Sequence, residues 1–462
     1  MMEQKENSEA GSGSPGMNQE GGGAALGTAG AIEEIAAPGR KHYPSLDGLR
    51  GLAILLVLFC HYAFFLPVRT RLGASLEMLS FQGWVGVTLF FVLSGFLITG
   101  ILYDAKGQRN YFRNFYARRT LRIFPLYYGV LAVELAILLV IKFGFPHAWL
   151  HLHNPQKLWA AMPWLWSYTT NIGMAFFHVH TVLQGHLWSL AVEEQFYLVW
   201  PIAIFFLGRR GILRVCLFLV ALAFLARFAL TALGFWPFAA YVFTPCQFDA
   251  LALGSLVAIL IRDPVGQQWL RIHSPRLFIS GAIMVSLTVL TLIALRISPQ
   301  SGGDMEVRTI AGSSIGHPML FQILPWISDV LYAPLDLAFV ALLATVVTEA
   351  SPLLERIFSW KPLRALGGYS YGLYVFHYIV IAILGNLLIH FPEIAHATAV
   401  GMLSAFCLLC VNLAISFALT VASFHLYEKR FLKLKKYFPE RVVGSQLPMV
   451  RDRAPARGSR GG

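Results

Sequence analysis

Charge is what this sequence has least of. Asp, Glu, Lys and Arg make up 13% of its 462 residues, against about 25% in an ordinary soluble domain. With 56% of residues hydrophobic and long apolar runs along most of the chain, a soluble globular fold is excluded. Acidic residues are the scarcer sign, 24 against 36 basic, and the excess of +12 points in such a chain to cytoplasmic loops and lipid headgroups rather than nucleic acid. Cysteine is also scarce. Four of the five (Cys60, Cys216, Cys407 and Cys410) lie in apolar runs and Cys246 in an expected loop, so packing roles are expected and no disulfide framework. The start lacks the basic end and apolar core of a secretory signal. Residues 1–40, rich in Gly, Ser, Ala and Glu, read as a disordered tail, and 438–462 as a second, basic one. There is no internal repeat, which weakens a transporter reading, and no appended domain large enough to fold alone.

What is present is a series of apolar segments. Ten are long enough to be membrane spans, at about 47–66, 83–103, 124–143, 188–207, 212–233, 247–261, 277–297, 328–349, 367–390 and 397–426. The expectation is therefore an all-α polytopic membrane protein of about ten helices, with residues 41–437 as one transmembrane domain. Placing the N-terminus inside puts fifteen Lys and Arg in inner loops and six in or beside outer ones, with the basic stretch "KRFLKLKKYF" also inside. That asymmetry favours an inner membrane location with both termini cytoplasmic. The outer segment 144–187 carries His147, His151, His153, His178, His180 and His186, but at loose spacing and without thiols or a carboxylate cluster, so no metal is expected.

Polar residues inside apolar segments carry the functional signal, because each is costly there. The first span reads "LDGLRGLAILLVLFCHYAFF". Arg50 and His61 are eleven positions apart, about 16 Å of helical rise and almost three turns, so they share one face. Arg50 alone reads as a snorkelling anchor and His61 alone as a packed histidine; the shared face favours one polar pathway. In the second span, Gly83, Gly86, Gly95 and Gly100 permit close helix approach, and Ser94 offers a hydrogen bond across an interface. Arg119 and Arg122 in "ARRTLRIFPLYY" share a face just before the third span, as an inner anchor or a phosphate site, with Pro125 expected in a first helical turn. In "HLWSLAVEEQFYLVWP", Ser189, Glu193 and Tyr197 recur every four residues and form a polar stripe. Glu134, Arg227, Asp249, Asp336, His377 and His425 are further polar groups in spans, each a functional residue or part of a buried ion pair.

These segments, together with "GWVGVTLFFVLSGFLI", "FDALALGSLVA" and "YSYGLYVFHY", resemble the integral-membrane acyltransferase-3 family, which O-acylates cell-surface carbohydrates and some secreted small molecules. The family's Arg, ten residues, His pattern falls on Arg50 and His61. Its paired arginines fall on Arg119 and Arg122. Its Trp-Ser-Leu-x-x-Glu-x-x-Phe-Tyr pattern falls on Trp188, Ser189, Leu190, Glu193, Phe196 and Tyr197. Without the hydrolase-like extracellular domain of some relatives, the chain is expected to be of the stand-alone kind.

The resemblance implies transfer of an acyl group, acetyl by expectation, from cytoplasmic acyl-CoA to a hydroxyl of a carbohydrate or glycosylated small molecule. Acyl-CoA is then a co-substrate, with no permanently bound cofactor. Arg119 and Arg122 are expected to bind CoA phosphates, Arg50 to line the donor path, and Ser189 and Tyr197 to flank the site. His61 acts as general base with Glu193 orienting it, or carries the acyl group itself. The rival is a polytopic transporter of a glycolipid, sugar or lipid, which composition alone fits as well. A purely structural scaffold leaves the intramembrane polar groups unexplained.

Overall fold

The computed structural model describes residues 43–62, 76, 79–144, 155–179, 184–294, 325–390 and 402–439. Among the described residues every regular element is helical. The tail at 1–40, nearly all of 438–462, and His147, His151, His153 and His180 lie outside them.

The main helices are α1 (Pro44–Tyr62), α2 (Val85–Asp104), α3 (Tyr111–Gly144), α4 (Pro155–Trp166), α5 (Thr170–Phe176), α6 (Trp188–Phe206) and α7 (Arg209–Ala232). After them come α8 (Pro237–Val242), α9 (Phe248–Leu260), α10 (Pro264–Ala294), α11 (Pro325–Val347), α12 (Pro352–Phe358), α13 (Lys361–Gly368), α14 (Ser370–His390), α15 (Met402–Ser423) and α16 (Lys429–Leu432). Among the described residues, six helical segments are long and apolar enough to cross a bilayer, and up to eight if two bent pairs each count as one span. The chain is thus an all-α polytopic membrane protein.

Helix occupies part of each of the ten expected segments, of which length and composition mark six to eight as spans among the described residues. α9 has 13 residues, about 20 Å of helix, short of a hydrocarbon core near 30 Å. The bent pairs are α11 with α12, at 94°, and α13 with α14, at 75°. The first bend has a local cause. Glu349 takes a positive φ of 54° just beyond α11, Ser351 caps α12 by accepting from the Leu354 amide, and Pro352 starts the new helix.

A second departure is at α3. The basic stretch before the expected third span is helical from Tyr111 without a break, so Arg119 and Arg122 lie inside one 34-residue helix with the span that follows. Pro125 is therefore in the helix interior, not in a first turn; it removes one backbone donor, and the helix continues on either side. Of the cysteines, Cys60, Cys216 and Cys246 are buried, while Cys407 and Cys410 are exposed on α15, so packing does not account for all five.

Helices approach closely where glycine removes a side chain. α2 packs against α9, where Gly95 faces the Leu251 carbonyl and Gly254 the Val92 carbonyl, with no room for a Cβ at either. Gly83 and Gly86 stand the same way against the Leu56 and Ala53 carbonyls of α1, the structural role expected of them.

The segments assigned to the inner side touch one another. Arg262 at the end of α9 makes a two-pronged bond at 2.7 Å to Asp104 at the end of α2. Arg209 pairs with Asp263 at 3.0 Å, Lys106 donates to the Leu207 carbonyl at 2.6 Å, and Arg118 to the Phe438 carbonyl at 3.1 Å. Toward the other end of α7, Arg227, 1% exposed, pairs with Asp249, donates to the Cys246 carbonyl, and lies 4.3 Å from the centre of the Tyr332 ring. An ion pair this buried is costly to break from one side. Asp249→Leu removes the hydrogen-bonded partner of Arg227 while Asp336 stays within electrostatic reach of it; the cost is expected to be up to about 3–5 kcal/mol, and Arg227→Met with Asp249→Leu is expected to recover part of it. Thermal unfolding in detergent measures both; equal losses in single and double variants would refute the pairing argument.

Candidate active site

The site forms along α1, between α2, α3, α6 and α14. At its cationic end, Arg50 on the first turns of α1 holds Asp47 at 3.0 Å. Arg122 on α3 lies within electrostatic reach of Arg50, Arg119 and Glu428. Glu428 ends a single π-helical turn, Phe424–Glu428, and accepts from the Ser423 hydroxyl at 3.1 Å; such turns recur at functional sites. Arg119 stacks its guanidinium 5.8 Å from the centre of the Tyr197 ring.

The stripe on α6 faces inward as its period requires. The Ser94 hydroxyl, on α2, donates to Glu193 at 2.7 Å. The Tyr197 hydroxyl, with one proton to give, lies 3.0 Å from the Ser94 oxygen and 3.2 Å from the second Glu193 oxygen, closing a triangle of polar contacts. Arg119 and Arg50 both lie within electrostatic reach of this carboxyl, which places Glu193 beside the cationic end. One turn N-terminal, Tyr374 on α14 donates to the His186 carbonyl at 2.6 Å and so accepts from Ser189, also at 2.6 Å.

The other end is a cluster of aromatic and imidazole rings. His61, partly buried at the end of α1, has its ring centre 5.0 Å from that of His377 and 5.1 Å from that of Tyr378. His186, in the turn before α6, lies 5.0 Å from His377 and stacks on Tyr378. His377 is fully buried. Both ring nitrogens of His186 are buried without a hydrogen-bond partner, an uncommon condition that a bound polar group relieves.

The structure therefore brings Arg50, Arg119, Arg122, Glu193 and Tyr197 together at one end, and sets Ser189 between them and His61. It corrects one assignment. Glu193 was expected behind His61; its hydrogen bonds go instead to Ser94 and Tyr197, and His377 is the residue packed against His61. His377 stood out in sequence only as one polar residue without a partner. The available signal was "YSYGLYVFHY", whose helical spacing puts Tyr374, His377 and Tyr378 on one side of α14. Glu428 had no such signal, being set in a basic run. Among the described residues no group of three or more His, Cys, Asp or Glu is placed to hold a metal.

The acyltransferase-3 family model, described as an acyltransferase domain, matches residues 43–421. The chain belongs to the acyltransferase-3 family. Relatives include the peptidoglycan O-acetyltransferase OatA of Listeria monocytogenes, 28% identical over 358 residues, covering 74% of this chain and 50% of that protein. The putative peptidoglycan O-acetyltransferase YrhL of Bacillus subtilis is 28% identical over 355 residues, with 74% and 49% covered. The O-acetyltransferase OatA of Staphylococcus aureus is 27% identical over 367 residues, with 77% and 53% covered. The chain spans about half the length of these curated relatives. No solved structure matches it.

The triangle in this acyltransferase-3 domain is testable by a double-mutant cycle. Ser94→Ala and Tyr197→Phe each remove one polar neighbour from Glu193 and are expected to cost about 1–3 kcal/mol, because each leaves a buried carboxyl oxygen less satisfied. The double variant should depart from additivity by at least about 0.5 kcal/mol. Unfolding midpoints in detergent supply the values; strict additivity would mean the three groups are not coupled.

Proposed function

We propose that the chain is a membrane O-acyltransferase, moving an acetyl group from acyl-CoA at the cytoplasmic side to a hydroxyl of a cell-surface or exported carbohydrate. The observation that carries this reading is the polar column inside an apolar bundle, cationic at one end and lined by imidazoles at the other. Its length suits a donor with a phosphate-bearing head and a long thin arm. Arg119 and Arg122, with Arg50, hold the phosphates by charge-assisted hydrogen bonds, and the thioester reaches His61. Glu193, tied by Ser94 and Tyr197, keeps the arginines in place between turnovers.

At the other end His61 takes the proton of the acceptor hydroxyl as its oxygen attacks the thioester carbon. The carbon–sulfur bond then breaks, the ester forms, and the proton passes from His61 to the departing thiolate. His186, whose two nitrogens lack protein partners, is available to a substrate oxygen in this step. Family membership supports the acyl transfer, and the relatives' names, peptidoglycan O-acetyltransferase, support a wall carbohydrate as acceptor class. The concentration of Lys and Arg in segments that meet at one end of the bundle supports an inner-membrane orientation with both termini cytoplasmic.

The test uses purified protein in liposomes with labelled acetyl-CoA and a carbohydrate acceptor. His61→Ala should lower transfer by at least about a hundredfold, with the variant still inserted and folded. Arg119→Ala and Arg122→Ala should raise the KM for acetyl-CoA more than they lower kcat. Solute uptake without consumption of acetyl-CoA would overturn the reading in favour of a transporter.

A further inference from the structure

The second histidine in the ring cluster has a role that hydrogen-bond chemistry defines. His377 Nδ1 lies 3.0 Å from the Leu373 carbonyl oxygen, and a carbonyl oxygen only accepts. His377 Nδ1 therefore carries the ring's proton, and its Nε2 is left as an acceptor. That Nε2 lies 3.2 Å from His61 Nδ1. His61 Nδ1 also lies 2.9 Å from the Val57 carbonyl oxygen. Two acceptors, one from its own helix and one from α14, thus face the same nitrogen of His61.

The opposite arrangement fails at both ends. A proton on His377 Nε2 would set its bare Nδ1 lone pair against the Leu373 carbonyl. A bare His61 Nδ1 would likewise face the Val57 carbonyl at 2.9 Å. Either contact places two acceptors together in a buried site, where an unsatisfied polar contact is costly. One tautomer pair satisfies all three contacts, with the proton on Nδ1 of each ring.

We propose that His377 is a positioning residue that fixes the tautomer and ring orientation of His61, so that His61 Nε2 is the nitrogen presented to the acceptor hydroxyl. The inference rests on the reading of His61 as the base. His377 occupies the place that an acid holds behind the base in a hydrolase triad, with a neutral acceptor in place of a charged one. When His61 Nε2 takes the substrate proton, the imidazolium keeps both hydrogen bonds at Nδ1, so no group has to reorganise during transfer. His377 is itself held from behind by its own Leu373 carbonyl and walled by Tyr374 and Tyr378.

The experiment compares His377→Leu and His377→Gln with His61→Ala in the liposome assay. His377→Gln is chosen because its side-chain oxygen can stand where His377 Nε2 stands and accept from His61. His377→Leu should lower kcat by about a hundredfold, in the range of general-base contributions, with the KM for acetyl-CoA unchanged. His377→Gln should keep kcat within about tenfold of the parent. Unfolding midpoints for the two variants guard against simple misfolding: a loss of kcat in both, each with the parent's midpoint, would overturn the positioning role. Full activity in His377→Leu would overturn it as well. If instead His61→Ala is fully active, the base assignment itself falls, and that outcome is distinct from one in which His61→Ala is inactive and His377→Leu is not.

Discussion

Helix α1 is seated backbone to backbone against its neighbours on two sides. Gly48 meets the Phe358 carbonyl at the end of α12, Gly51 the Leu363 carbonyl of α13, and Gly367 meets the Asp47 carbonyl from the other direction. Higher on the helix, Gly83 and Gly86 meet the Leu56 and Ala53 carbonyls. In a membrane, where lipid is as apolar as leucine, such close packing is a main source of helix association. It also leaves α1 little freedom to rotate or slide. Arg50 and His61 are fixed by that seating, and the remainder of the site is built to meet them.

The cost of polar groups in an apolar interior then dictates how the site is completed. The carboxylate of Glu193 has no bulk water to fall back on, and it takes Ser94, Tyr197 and the field of Arg119 and Arg50 as its surroundings. Ser189 and Tyr374 satisfy each other and the His186 carbonyl. The same rule leaves His186 conspicuous, since its ring nitrogens are buried without partners. Glu194, next to Glu193 on α6, likewise has a buried carboxyl oxygen without a partner. The Arg227 and Asp249 pair answers the same constraint away from the site, where it ties α7 to α9.

Much of the architecture was legible before the structure, because its signals are local. Apolar runs located the helices, and basic residues grouped the loops that meet at one end. Boundaries were less legible. The helix face of Arg119 and Arg122 proved continuous with the span that follows, because charged residues with good helix propensity extend a span beyond the hydrocarbon at little cost. The bends at Glu349–Pro352 and at Tyr369 turned apparent spans into angled pairs; at the first, a cap and a proline redirect the chain without changing its average hydropathy.

The sequence by itself determined which residues share a helix face: Arg50 with His61, Arg119 with Arg122, and Ser189 with Glu193 and Tyr197. The helical period sets these relations within a few turns, so they need no other part of the chain. Only the tertiary structure decided what each face meets. Ser94 reaches Glu193 across 99 residues, Tyr374 reaches Ser189 across 185, and His377 reaches His61 across 316. Such pairs depend on how helices cross and how closely glycines let them approach. That is why the carboxyl of Glu193, expected behind His61, bonds instead to Ser94 and Tyr197, and a histidine from α14 packs against His61.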